Sequence, residues 1–483
     1  MTKRRNISRR KFLGQASCAA IGSTTFLSTA LNLGMINTAA ARPHIIGAPS
    51  DYKALVVILL AGGADSHNML IPTTPSEYST YSTIRSDLAL SYNISGTPDD
   101  VMNITPSNTG GRTYGVHNGL AGIKSLFDQN KAAFVANVGT LIEPIANLND
   151  LRYSNKKIPL GLYSHADQIM QWQTSVPDDR SAVGVGGRIA DMLKDMNTID
   201  AISMNISLDG KNRFQSGNTI SEYSIGNSAD PEDIGMQGLT SWWSNSGFLT
   251  QQRDEAIKSV VEDVYSNIFQ DTYADLSRQT IAGNDLFKTA IAKRPGFSSP
   301  FAPTALSQDL RMMADIISVQ QHLGANRQIF FTTFGGWDHH DEVLNNQNRM
   351  LPILDGAISS MYTSLTELGI QNDVTIMTIS DFGRTMTTNT GGSDHAWGGN
   401  SIIVGGAVNG GQIFGEYPDL DLANTVNIDN RGRYIPQLSV DELYAEIALW
   451  FGVAVSDLNY ILPNIGNFNN YVSNPAPLGL FNV

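Results

Sequence analysis

The sequence predicts a three-layer α/β fold with a mostly parallel central sheet. Three observations carry that expectation. Continuous apolar runs such as Ala54–Leu60 lack polar alternation and fit strands buried on both faces. Segments with helical periodicity separate those runs. Glycine-bearing polar turns follow several of them, where open α/β sheets build their sites.

The composition supports a folded chain. Of 483 residues, 41% are hydrophobic and 16% charged, enough to bury a sizeable core. Residues 1–41 are set aside from the fold. They contain Ser8-Arg9-Arg10-Lys11-Phe12-Leu13, an apolar stretch from Ala16 to Leu33, and the small-residue exit Ala39-Ala40-Ala41. A basic head, an apolar middle and a small-residue exit make a secretory signal, and the paired arginines mark the twin-arginine route. The expected location is the periplasm or the exterior. A retained membrane anchor is the alternative. The apolar stretch is only about 18 residues long and is diluted by Ser, Thr and Asn, so no stable membrane insertion is expected after cleavage.

Removing that segment sharpens the charge. The chain has 32 basic and 45 acidic residues. Six basic residues (Lys3, Arg4, Arg5, Arg9, Arg10, Lys11) and no acidic ones lie in 1–41, so the remainder carries 26 against 45, a net of −19. Such a surface repels nucleic acid and anionic membrane. Cys18, the one cysteine, leaves with the signal, so any metal must be held by carboxylates, imidazoles and backbone oxygens.

Lys53–Leu60 reads as the first buried strand, and Gly62-Gly63-Ala64-Asp65-Ser66-His67-Asn68 as the turn after it. A helix is expected over Leu120–Gln129 with Asn118 as its cap. A second strand covers Ala132–Val138. Ser164 is placed to cap a helix that continues through Gln168–Gln173. Residues 205–247 are rich in Ser, Asn, Gly and Asp. They read as strand and loop within an insertion at about 205–300. Gln251 to about Ala292 and Ala305–Leu323 have helical periodicity. Gln328–Phe334 is a short strand, Asn345–Leu368 a long amphipathic helix, Asp373–Ile379 another strand, and Ser401–Val404 another. Val440–Phe451 is a late helix. No internal repeat is visible. One domain over 50–470 is expected, with 471–483 as a tail wrapping the surface.

Three of these strands end in acid-bearing turns, at Asp65, Asp338 and Asp381, and Asp394-His395 precedes a fourth. In a parallel sheet the C-terminal strand ends share an edge, so these turns can converge. Carboxylates crowded there repel one another unless a cation lies between them. Mixed Asp and His ligands suit zinc or manganese, and a carboxylate-dominated subset suits calcium or magnesium. Taken singly, an Asp after a strand is more often a turn or cap residue. Within Asp338-His339-His340, an extended backbone lets only one imidazole face inward. His340 lies on the side of Asp338, which leaves His339 behind the site or at the surface. Arg384 either pairs with an acid or grips an anionic substrate bidentately. Trp337 and Trp397 are packing residues or the floor of a sugar-like ligand.

The combination LVVILLAGGADSHNM, GVHNGLAGIKSLFD, YSHADQ, GGWDHH, SDFGRT, DHAWGG, VGGAVNGGQIFGEYP and ALWFGV…LPNIGNF resembles the exported bacterial family called domain of unknown function 1501. The likeness spans roughly residues 50–470. His339 stands where that family usually has Thr, and Asp381 where it usually has Glu. The family is grouped with the alkaline phosphatase and sulfatase-like superfamily. The resemblance implies an alkaline-phosphatase-like fold, with Asp65, Asp338, His340, Asp381 and His395 as metal ligands and Ser164 near the nucleophile position. A helix N-terminus there would favour an alkoxide and an anion. The sulfatase Cys/Ser-x-Pro-x-Arg motif is missing around Ser164, and the phosphatase Asp-His pair is missing at Asp381-Phe382.

The function expected is metal-dependent hydrolysis of phosphate or sulfate esters. A divalent cation would be the cofactor and an anionic ester or glycan-like molecule the substrate. His165 or His340 would handle protons and Arg384 would hold the anion. The alternative is a non-catalytic exported protein that binds a protein partner or a surface glycan. An oxidoreductase has no support, because GGADSHN is not a dinucleotide fingerprint.

Overall fold

The computed structural model describes residues 52–227, 259 and 282–482. The signal segment and most of the stretch from 228 to 281 lie outside the described residues. Nine strands form the central sheet. They are β1 (Lys53–Ala61), β5 (Ala132–Gly139), β6 (Asn205–Ser207), β7 (Tyr223–Ser224), β8 (Arg327–Gly335), β9 (Val374–Ser380), β10 (Gly399–Gly405), β11 (Ile413–Gly415) and β12 (Leu438–Ser439). Their spatial order is β11-β5-β10-β9-β1-β8-β6-β7, with β12 also paired to β5. A separate antiparallel sheet orders β2 (Leu70–Pro72), β4 (Tyr114–His117) and β3 (Val101–Ile104).

The expected layering is present. Seven helices matter here: α1 (Pro75–Arg85), α2 (Ala121–Asp128), α3 (His165–Thr174), α4 (Val185–Leu193), α5 (Ala305–Ser318), α6 (Val343–Glu367) and α7 (Val440–Phe451). β1 shows how two faces are covered. Ala54, Val56, Ile58 and Leu60 join one core cluster with α2, α5 and α6 side chains such as Ile123, Leu310 and Leu354. Leu55, Val57 and Leu59 join another with Ile189 of α4 and Leu443 and Ile447 of α7. A strand buried on both sides needs no polar alternation, which is why its sequence is a continuous apolar run.

β1 pairs in parallel with β8 on one side and β9 on the other. Ala61 is level with Gly335, and Leu60 with Ser380, so three acid-bearing turns start at the same height. β10 runs antiparallel to both β9 and β5. That reversal is needed by the site. A segment preceding a strand reaches the C-terminal edge of its parallel neighbours only if that strand runs backwards, and Asp394-His395 precedes β10.

Some local expectations change. Asn118 does not cap α2. It opens a 3-10 turn, Asn118–Leu120, capped by His117 through the Gly119 N–H. The α2 donors at Gly122 and Ile123 are met instead by the two oxygens of Asp355, from α6. The tail expected to wrap the surface is held against the fold at its end. Leu480 and Phe481 are buried, Phe481 bridges to Val408, and the Glu446 carboxylate accepts from the backbone of Leu480 at 2.7 Å. Among the described residues, no helix is long and apolar enough to cross a membrane.

Candidate cation site

The turns after β1, β8 and β9 and the segment before β10 meet at one edge of the sheet. Close approach requires glycine. Gly62 has φ +120°, and a Cβ there would lie 2.4 Å from the Asp338 nitrogen. Gly63 has φ +76°, and its Cβ would collide with the Phe382 ring. The segments 381–385 and 394–398 are zipped by backbone bonds from Gly383 to Trp397, Ala396 to Gly383 and Thr385 to Asp394.

Asp338 stands at the centre, with 47% of its side chain exposed. Three imidazole Nε2 atoms approach its carboxylate, from His340 at 3.2 Å and from His165 and His395 at 3.5 Å each. Each ring is turned by a partner on its other nitrogen. His165 Nδ1 meets Asp381 Oδ2 at 2.6 Å, His395 Nδ1 meets the Tyr163 carbonyl at 2.8 Å, and His340 Nδ1 meets Asp394 Oδ1 at 3.2 Å. Carbonyls and carboxylates only accept, so these partners favour the tautomer that carries the proton on Nδ1 and turns the Nε2 lone pair inward. His340 Nε2 and His395 Nε2 then lie 3.0 Å apart. Two lone pairs at that distance repel unless a proton or a cation is shared between them.

The electrostatics fit a cation. Burial pushes the Asp338 carboxyl up. The hydrogen bond and charge of Arg384, with His165 and His340 beside it, outweigh burial and hold it below the usual carboxylate range. Burial holds His395 below the usual histidine value, and the neighbouring Arg384, His165 and His340 add to that despite the Tyr163 carbonyl. A neutral imidazole is the form that ligates metal. Phe382 lies beneath the site, its ring 4.8 Å from His165 and 4.5 Å from His395. Tyr163 adopts φ +69°, a left-handed conformation costly for a bulky residue, and it aims the carbonyl that holds His395.

The expected residues divide sharply. Asp338, His340 and His395 come together, and His165 joins them. Ligand atoms of His165, Asp338 and His395 all lie within 4.8 Å of one another. Asp381 is fully buried and both its oxygens are used, one by His165 and one by the Gly62 N–H at 3.0 Å. It orients His165 and leaves no oxygen free to face the cluster. Asp65 is not in the cluster. It is 1% exposed and bonded to Arg85 Nη2 at 2.9 Å and Ser393 Oγ at 2.6 Å, so a guanidinium supplies its positive partner.

Arg384 is also spent. It is fully buried, and its donors go to the carbonyls of Gly63, Ser393 and Gly62 and to Asp338. It fixes Asp338 and the turn after β1, and cannot reach out to grip an anion. Ser164 is the N-cap of α3, its Oγ accepting from the Asp167 N–H at 3.4 Å, one residue before His165. Trp337 and Trp397 are wholly buried, so neither floors a ligand. His339 is buried against Trp337 rather than at the surface. The two imidazoles part as expected, with His340 toward Asp338, although the backbone is a tight turn and not extended, His339 N bonding the Trp337 carbonyl and His340 N that of Asp338.

Sequence reasoning missed three contributors. Asp394 had a visible signal in its Asp-His dipeptide. The Tyr163 carbonyl and Arg85 had none, because a backbone oxygen carries no residue signature and Arg85 arrives from a helix facing the turn.

Residues 288–459 match the family described as "Protein of unknown function (DUF1501)". The matched stretch contains GGWDHH, SDFGRT and DHAWGG, so the resemblance drawn from those motifs holds there. No curated protein matches the sequence. Among solved structures the chain is similar to Ps i-CgsB, at 8% identity, covering 87% of this chain and 77% of that one, with a TM-score of 0.34. It is similar to the PsFucS1 sulfatase from Pseudoalteromonas sp., at 11% identity, covering 91% and 76%, with a TM-score of 0.29. It is also similar to the alkaline phosphatase from the Antarctic bacterium TAB5, at 10% identity, covering 74% and 92%, with a TM-score of 0.25.

Proposed function

We propose that the protein is an exported, metal-dependent hydrolase of phosphate or sulfate esters. The observation that carries this is the convergence of three Nε2 atoms on Asp338, with every Nδ1 proton already engaged. His165, Asp338, His340 and His395 are the proposed ligands, a donor set that suits zinc or manganese better than calcium or magnesium. A bound divalent cation would polarise the ester and lower the pKa of the attacking hydroxyl or water.

The chain's own residues do the rest. Asp381 Oδ2 holds the proton on His165 Nδ1 and fixes that ring. Phe382 excludes water from below. Ser164, at the N-terminus of the ten-residue α3, presents a hydroxyl where the helix dipole favours an anion. Anionic esters, including sulfated or phosphorylated glycans, are the proposed substrates. The Ser-Arg-Arg-Lys-Phe-Leu head supports export by the twin-arginine route.

The second reading is a non-catalytic binding protein. It is favoured by the internal use of Asp65 and Arg384, which leaves fewer free groups than a hydrolase of anions would use. One sequence of measurements separates the two. Protein purified without chelator is analysed for metal, then assayed on chromogenic phosphate monoesters, phosphate diesters and sulfate esters. The hydrolase reading expects bound divalent metal and turnover that Asp338→Asn abolishes. Metal in less than about a tenth of the chains would sink it. Turnover unchanged in Ser164→Ala would leave water as the nucleophile.

A further inference from the structure

The three imidazoles are not supported equally. His165 rests on Asp381, which is fully buried and pinned by the Gly62 N–H. His395 rests on a backbone carbonyl. His340 is the most exposed of the three, at 46%, and its support is Asp394, a partly exposed carboxylate.

Asp394 is itself held. Arg431 Nη2 meets its Oδ2 at 2.5 Å, Asn389 Nδ2 donates to its Oδ1 at 2.8 Å, and its backbone N–H donates to Thr385 Oγ1 at 2.9 Å. Arg431 stands on a fixed stalk. Its N–H donates to Asp429 Oδ1, and its carbonyl accepts from Thr387 N at 3.1 Å. The adjoining Gly432 packs so closely that a Cβ there would lie 2.3 Å from that of Met386. A guanidinium, a carboxylate and an imidazole thus run in series from the rim to Asp338.

We propose that Arg431 is the positioning residue for His340, acting through Asp394, and that His340 is the adjustable ligand of the site. This rests on the cation reading above. Acceptors behind a ligating imidazole fix its ring and raise its basicity, and their loss costs metal affinity. Of the three imidazoles, only His340 takes its Nδ1 partner from Asp394, so a change at Arg431 reaches the cluster through His340 first. Arg431 touches no reacting atom. Its guanidinium holds the Asp394 carboxylate aimed at His340 Nδ1.

The test measures zinc and cobalt affinity of the full chain by competition with a chromophoric chelator. Arg431→Gln and Asp394→Asn are each expected to weaken binding about tenfold. Arg431→Lys, which keeps the charge, should recover most of that loss. Lys124→Gln, which removes an ordinary surface pair with Asp128, should change nothing. The visible absorption of the cobalt form should change in the two weakened variants while the melting temperature of the metal-free chain stays put. In a His340→Ala background, Arg431→Gln should cost nothing further. Wild-type affinity in Arg431→Gln, or an equal loss in the His340→Ala background, would overturn the relay. A wild-type chain that binds neither metal would overturn the cation reading and the relay together, and the wild-type trace alone tells the two failures apart.

Discussion

Asp65 and Asp338 are near twins by position. Each follows a glycine-bearing turn at the end of one of two neighbouring parallel strands, β1 and β8, whose last residues are level. Their surroundings are opposite. Asp65 is sealed and neutralised by Arg85, a buried guanidinium from α1 that also reaches Asn68 and the carbonyls of Thr385 and Met386. Asp338 is half-exposed among imidazoles whose lone pairs lack a shared partner. Strand position decides which edge a carboxylate reaches. The element packed across from it decides whether it becomes a fastener or a ligand.

The largest expected effect breaks the sealed half. Arg85→Ala leaves a buried carboxylate without its cation and should cost about 3–5 kcal/mol, read by denaturant unfolding. If it costs less than about 1 kcal/mol, the fastener role of Asp65 is wrong. Next comes acid. Burial, and secondarily Arg85, hold His67 down at about 4 against the opposing pull of Asp65 and the Arg384 carbonyl, whereas the unfolded chain titrates near 6.5. Between those values the unfolded state binds the extra proton. The stability from this group is therefore full above about pH 6.5 and falls by about 3 kcal/mol as pH drops through 4. Asp65 adds a loss at lower pH, because Arg85, His67 and Ser393 outweigh its burial and hold its carboxyl below the usual range. His67→Gln should flatten the slope between pH 4 and 6.5, and an unchanged slope would move the acid sensitivity elsewhere.

Gly62→Ala strains a left-handed position against Asp338 and should cost about 1–3 kcal/mol while loosening metal binding, since it displaces the turn that carries the ligand. Asp338→Asn is the smallest in stability and the sharpest in contrast. It keeps an oxygen that accepts from the buried Arg384, so it should cost less than Arg85→Ala, about 1–2 kcal/mol, yet remove divalent metal retained through dialysis. A large stability loss without loss of metal would reverse the assignment of the two carboxylates.

Much of the scaffold was legible because buried strands leave continuous apolar runs. β1, β5, β8, β9 and α7 lie where those runs and the helical reading of Val440–Phe451 place them. The reversal of β10 was not legible, because five buried residues from Ser401 to Gly405 read alike in either direction. For the site, Asp338, His340 and His395 were readable from strand ends and from family motifs. The fate of Asp65 was not, since Arg85 is 20 positions away and carries no motif. The pairing of Arg384 with an acid was one of its two readings, but the use of its other donors by the carbonyls of Gly62, Gly63 and Ser393 was not legible, because carbonyls have no side-chain signature.

Two of the three pairings that orient the imidazoles are long-range, while His340 and Asp394 are 54 positions apart. His165 and Asp381 are 216 positions apart, and His395 and the Tyr163 carbonyl 232. No fragment short of most of the domain can contain the cluster. Loops of that length close slowly, because their entropy is lost before any contact repays it. On the proposed reading, a cation held at full affinity would report that these distant segments have come together.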